Sequence, residues 1–183
     1  MNDIQDITLI YRNVKYFRIE VEDGIVRFVI PKNFDGDINE IKEKYKSWIK
    51  SKLEKLEEIK NISRKIRLFN HNNIQEIVKG YIEEYSNLLN VTPQEVCFKK
   101  MRKRWASCNV DKQKIIFNKD IKFLPKGLIK YIVLHEMAHL IVRNHKEEFW
   151  SIVSEFETNY KQKEKLLTCY RYKIIKNITN NGE

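Results

Sequence analysis

"YIVLHEMAHLIVRNH" (residues 131–145) holds three of the four histidines of this 183-residue chain. It lies within the longer run "PKGLIKYIVLHEMAHLIV" (125–142), which is nearly all apolar after its proline. Such a run predicts a helix opened at Pro125, buried on most sides and broken at Asn144. Residues four apart sit one turn apart on the same helix face, so His135 and His139 can aim two imidazoles at a point about 2 Å from each. Glu136 lies about 100° round the helix, unsuited to be a third ligand but placed to touch a water at that point. Buried among Ile, Val and Leu, two imidazoles and a carboxylate need something to satisfy them. A metal ion does so, and imidazole ligands favour Zn2+.

A catalytic zinc takes three protein ligands and keeps one position open. His145 is the expected third, because a turn at Arg143-Asn144 swings it back over the metal. The spacing is that of HExxHxxGxxH, with Val142 where that pattern has Gly. The rival third ligand is a carboxylate on the following helix, Glu155 or Glu157. His71, alone in a hinge sequence, is expected at the surface.

Composition sets the frame. Hydrophobic residues make up 42% of the chain, with nine Tyr, nine Phe and three Trp, enough apolar area for one folded core. No stretch reaches the roughly 20 apolar residues of a membrane span, and the opening "MNDIQDITLI" lacks a signal-peptide layout. Cys97, Cys108 and Cys169 are odd in number, widely spaced and form no CxxC pair, so neither a disulfide framework nor a cysteine zinc site is suggested. A cytoplasmic protein is expected, with no membrane partner. The net charge of +10 is mostly that of solvated helix faces. One cluster is denser, "KKMRKRW" (99–105), read as a strand with one solvated face and Trp105 in the core; nucleic acid or nucleotide binding is its functional alternative.

Along the chain, "ITLIYRNVKYFRIEVEDGIVRFVIP" (7–31) alternates in two runs parted by Asp23-Gly24, a hairpin signal, with room for a preceding strand. From Asp37 a long helix follows, its stripe reading Ile38, Ile41, Tyr45, Trp48, Lys52, Leu56 and Ile59. A second helix is expected over Ile74–Leu89, then two or three short strands between Val96 and Asn118 with a turn near Asp111. After the histidine helix, "EEFWSIVSEFETNYKQKEKLL" (147–167) reads as one helix and the tail beyond Tyr170 as frayed. Trp48, Trp105 and Trp150 are expected in the core, and Cys108 as a packed thiol near the site.

"RKRWASCN" (102–109), "IIFN" (115–118), "HEMAHLIVRNH" (135–145) and "FW" (149–150), in that order, resemble the YgjP-like metallopeptidase domain family, related to the SprT-like short zincins. The hairpin "DGIVRFVIP" (23–31) and the Trp48 helix extend the likeness over nearly the whole chain. Ala106 departs from it, standing where the family pattern reads Gly. The resemblance implies an α+β zincin-like fold: a small, mostly antiparallel sheet packed on the HExxH helix, with an N-terminal β-hairpin and long helices. It also implies one domain over 1–183, made of a hairpin layer (1–36), a helical region (37–91) and a zincin core (92–170). By the same resemblance His135, His139 and His145 are the zinc ligands and Glu136 the catalytic base. The strand "KIIFN" (114–118), by resemblance and by position, is expected to pair with extended substrate.

The function so implied is a zinc-dependent metallohydrolase, a peptidase acting on polypeptide with Glu136 as general base. Arg104, Tyr160 and backbone amides are the candidate oxyanion donors. Two other readings stand beside it: a metal-dependent nucleotide or phosphoester hydrolase, and a nucleic-acid-binding module with a structural metal.

Overall fold

The structure is a computed structural model and describes residues 7–180. It has two compact units, residues 1–65 and 66–183.

In the first unit, β1 (Ile7–Arg12), β2 (Arg18–Glu22) and β3 (Ile25–Pro31) form a sheet in the order β1-β3-β2. The expected hairpin is β2–β3, antiparallel, and the preceding strand pairs parallel to β3. Its turn is built as the sequence demands: Asp23 and Gly24 have φ of 56° and 95°, the left-handed pair of a type I′ turn, which residues of this kind tolerate. Helix α1 (Ile38–Lys65) buries Ile49 against Val26, Phe28 and Ile30, with Ile38, Ile41 and Leu53 alongside. Trp48 is therefore not a core residue. It is 43% exposed, with Lys52 over its ring, because the buried stripe runs through its neighbour Ile49, about 100° round the helix.

The second unit carries α2 (Ile74–Leu89), β4 (Glu95–Lys99), β5 (Ala106–Asn109), β6 (Lys114–Asn118), a 3-10 turn (Lys119–Phe123), α3 (Lys126–His139), α4 (Glu147–Phe156) and α5 (Tyr160–Asn180). Helix α2 turns Val78, Ile82 and Tyr85 inward and stops at Asn90, whose φ of 52° suits an asparagine C-terminal cap. Helix α3 is the centre of this unit, touching α2, α4, α5 and β5. Leu128, Ile129, Tyr131 to Leu134 and Met137 to Ala138 are buried, as the apolar run requires, while Lys130 reaches out to pair with Glu84.

Several features of this unit correct the sequence reading. The sheet is mixed, not mostly antiparallel: its order is β4-β6-β5, with β4–β6 parallel and β5–β6 antiparallel. The tight turn at 110–113 forces β5 and β6 to be antiparallel neighbours, so β4 can pair only across the other side of β6. "KIIFN" is consequently the central strand, paired on both sides, and has no edge to offer a substrate. Residues 100–105 are a loop rather than a strand. Finally, 147–167 is two helices, parted where Glu157 is extended (φ −144°) and its carboxylate takes the Asn159 amide and an ion pair from Lys163. Beyond Tyr170 the chain remains helical to Asn180, anchored by Tyr170 and Ile174, both about 5% exposed.

A candidate metal centre on the buried helix

The last turn of α3 holds His135 and His139. The helix ends there, earlier than Asn144, with the amides of Leu140 and Val142 closing onto the carbonyls of Met137 and Ala138. The chain then reverses through Arg143, which pairs with Asp111, and Asn144, whose side chain accepts the Lys146 amide at 3.1 Å. This turn needs no glycine: among the described residues the non-glycine positions with positive φ are Asp23, Asn90 and Gln113, so Val142 adopts an ordinary conformation. The reversal delivers His145 to the other two rings.

The Nε2 atom of His145 lies 3.0 Å from that of His139 and 3.0 Å from that of His135. Three imidazole nitrogens bound tetrahedrally to one zinc at about 2.0–2.1 Å would stand about 3.3 Å apart. The donor set fits such an ion with little movement. His139 Nδ1 sits 3.0 Å from the Val142 carbonyl, which places the proton on Nδ1 and leaves the Nε2 lone pair facing the cluster. Burial holds His135 far down, to about 3, helped by the neighbouring His139 and His145; burial likewise lowers His139, against the pull of the Val142 carbonyl. Both rings are thus neutral at physiological pH, the form that binds metal.

Phe149, fully buried at the start of α4, packs against all three imidazoles at centroid distances of 4.9, 4.5 and 4.7 Å. Trp150 flanks His145 at 5.8 Å and stacks on Tyr160 at 4.8 Å. The other ring nitrogen of His135, Nδ1, is buried without a hydrogen-bond partner. The nearest carboxylate is Glu164, 3.9 Å away and already accepting a 2.6 Å bond from the Tyr131 hydroxyl.

Glu136 is 6% exposed, and burial pushes its carboxyl up to about 8, with Arg104 opposing the rise. It opens with His135 and His145 onto a cavity of about 370 Å³. The cavity wall includes Arg104, Trp105, Ala106 and residues of α5. Ala106 begins β5 in ordinary strand pairing with Phe117, so its methyl group is accommodated where the family pattern has Gly. The loop bearing Arg104 is pinned by Asn118, itself 1% exposed. Asn118 Nδ2 donates to the carbonyls of Met101 (2.7 Å) and Arg104 (2.8 Å), and Oδ1 accepts from the amides of Met101 (3.3 Å) and Asp120 (3.1 Å).

The structure brings together His135, His139, His145 and Glu136 and leaves the other candidates aside. Glu155 is exposed and Glu157 is engaged with Lys163. Among the described residues the three histidines form the one group of His, Cys, Asp or Glu gathered closely enough for a metal. His71 is half-buried rather than a surface residue: its Nε2 meets the Leu124 carbonyl at 2.9 Å and its ring stacks on Phe69. Cys108 is half-buried, and burial, then the charge of Glu136, pushes its thiol up to about 11, far from a nucleophile. Trp105 and Trp150 pack against the core as expected. Asn118, Phe149 and Tyr131–Glu164 were not singled out from sequence; only the "FW" resemblance pointed to one of them.

A cluster of three imidazoles, a buried carboxylate and an adjoining cavity is the equipment of a metal-dependent peptidase. The chain belongs to the YgjP-like metallopeptidase domain family, whose model matches residues 57–170. Among solved structures, the chain is similar to the metallopeptidase zymogen abylysin of Pyrococcus abyssi, with 21% identity and a TM-score of 0.46, covering 49% of this chain and 90% of that one. It is also similar to the zymogen jannalysin of Methanocaldococcus jannaschii, with 22% identity and a TM-score of 0.43, covering 59% and 99%. A comparison with curated proteins finds no match. No helix among the described residues is long and apolar enough to cross a membrane.

Proposed function

We propose that the chain is a zinc-dependent peptidase in which His135, His139 and His145 hold the metal and Glu136 is the general base. The observation that carries this reading is the convergence of three imidazoles, with His145 Nε2 3.0 Å from the Nε2 atoms of both His135 and His139, beside a buried carboxylate. A zinc ion held by three imidazoles supplies Lewis acidity, which polarises a carbonyl and acidifies water. Glu136 accepts the proton of the attacking water and passes it to the leaving amine. Its burial raises its affinity for that proton. Arg104, on the cavity wall, donates to the developing oxyanion; Tyr160 is held against Trp150 instead. The Val142 carbonyl fixes the tautomer of His139, and Phe149 restricts the rings. Substrate main chain pairs along β5, which lies against α3 and is paired with β6 on one side. A cytoplasmic setting, where Cys97 and Cys108 remain thiols, is part of the same proposal.

A second reading, a phosphoester or nucleotide hydrolase, is favoured by Lys103, Arg104 and Arg171 on the cavity wall. A nucleic-acid module with a structural metal lacks support, since such zinc sites take four ligands and three are gathered here.

The test compares zinc-loaded wild type with Glu136→Gln against an unstructured protein and a panel of nucleoside triphosphates. Wild type cleaves polypeptide, and the variant keeps its metal while losing about 10²–10⁴-fold in rate. Undiminished cleavage by the variant would refute the mechanism, and Glu136-dependent phosphate or pyrophosphate release would establish the second reading.

A further inference from the structure

The cavity beside the metal site is electrically polarised along α5. Four residues of that helix line it, Glu164, Leu167, Thr168 and Arg171, at the spacing of a single helix face. Glu164 and Arg171 are seven residues apart, about 10.5 Å along the axis. At the Glu164 end stand Tyr131 and His135. At the other end the loop 100–105 brings Lys103 and Trp105 to Arg171.

Arg171 is held in place there. Its guanidinium lies 4.5 Å over the Trp105 ring, and one nitrogen donates to the Arg102 carbonyl at 3.3 Å. These contacts use its face and one donor, leaving further N–H groups of the fork for a ligand. Neither Arg171 nor Lys103 forms an ion pair among the described residues. The nearby Asp120 is bound to Lys100 at 2.7 Å. Two cations on a cavity wall with no direct ion pair, Arg171 feeling Asp120 only at a distance, in a chain of net charge +10, match an anionic group on the ligand.

Resting on the peptidase reading, we propose that Arg171 and Lys103 form a subsite for an acidic side chain, and that the substrates are polypeptides with Asp or Glu near the scissile bond. The span of about 10.5 Å equals about three residues of extended chain. That span sets the range over which an acidic residue is sought, about three positions on either side of the bond cleaved.

The test uses the zinc-loaded full chain and a set of peptides in which Asp, Ala or Lys is placed at each of three positions on either side of one bond. The expected result is that Asp at one position raises kcat/KM about five- to tenfold over Ala, that Lys lowers it, and that the preference shrinks with salt. Arg171→Glu reverses the preference. Lys103→Glu, at an exposed position, weakens it and guards against a folding defect in the first variant. The same peptides are titrated, by fluorescence anisotropy, into zinc-loaded Glu136→Gln. Cleavage or binding without charge preference overturns the subsite. Charge-selective binding with no cleavage by wild type keeps the subsite and overturns the peptidase reading. Displacement of the acidic peptide by a nucleoside triphosphate that wild type then hydrolyses overturns the assignment to polypeptide.

Discussion

Replacing Asn118 with Ala removes the buried side chain that ties the loop 100–105 to the end of β6. Four hydrogen bonds go at once: two donated by Nδ2 at 2.7 and 2.8 Å, and two accepted by Oδ1 at 3.1 and 3.3 Å. The site is 1% exposed, so the carbonyls and amides left behind are not automatically hydrated. A hydrogen bond contributes about 0.5–1.5 kcal/mol net, and a buried group stranded without a partner costs about 1–3 kcal/mol. The two accepted bonds are the longer pair, so the two short bonds dominate. The expected loss is about 2–4 kcal/mol. Urea denaturation of the metal-free protein, followed by tryptophan fluorescence, measures it as a fall in midpoint at constant slope. Because the loop carries Lys103, Arg104 and Trp105, amide exchange over 100–105 should accelerate while that of α3 is little changed. Asn118→Asp should not rescue, since a carboxylate restores the acceptors but faces the carbonyls of Met101 and Arg104. A loss below about 1 kcal/mol, or unchanged exchange in the loop, would refute the assignment of Asn118 as the loop's anchor.

Further outcomes are expected at the site. In the metal-free protein, Glu136 has its proton affinity raised in the folded state, so its contribution to stability is present below its ordinary value of 4.5 and lost as pH rises towards 8. Glu136→Gln should flatten that loss, which runs at up to about 1.4 kcal/mol per pH unit, in melts taken from pH 5 to 8. It should leave the opposite acid-side loss, which comes from His135 between its ordinary 6.5 and about 3. Glu164→Gln should weaken zinc binding about tenfold in chelator competition, by removing the carboxylate nearest His135 Nδ1. Cys108, with its thiol pushed up to about 11, should react with iodoacetamide at pH 8 far more slowly than a free cysteine, read by mass spectrometry of the peptide.

The parts of this molecule written in short-range pattern were legible. The apolar run after Pro125 specified α3, the four-residue spacing specified a shared face for His135 and His139, and Asp23-Gly24 specified its turn. His145 was reached by the same local logic, from a turn expected at Arg143-Asn144, although the helix itself ends earlier, at His139. What sequence left open depends on partners far along the chain. Whether β6 is central or an edge is decided by which strands flank it, and β4 takes its place only because the β5–β6 turn fills the other side. Asn118 reads as an ordinary polar residue at a strand end until the loop beginning eighteen residues earlier folds over it. Arg171 lies where the composition turns polar, and only the burial of Tyr170 and Ile174 shows why α5 continues to carry it. Trp48 was misplaced by a single step round α1, an ambiguity that periodicity alone does not resolve when apolar residues are adjacent.

The most direct measurement is zinc stoichiometry and affinity for wild type, His145→Ala and Glu157→Ala, each verified as folded. The account expects one zinc per wild-type chain, a loss in affinity greater than the roughly 10–100-fold of a supporting residue for His145→Ala, and an unchanged site for Glu157→Ala. No zinc in the wild type, or zinc held as tightly without His145, would contradict it.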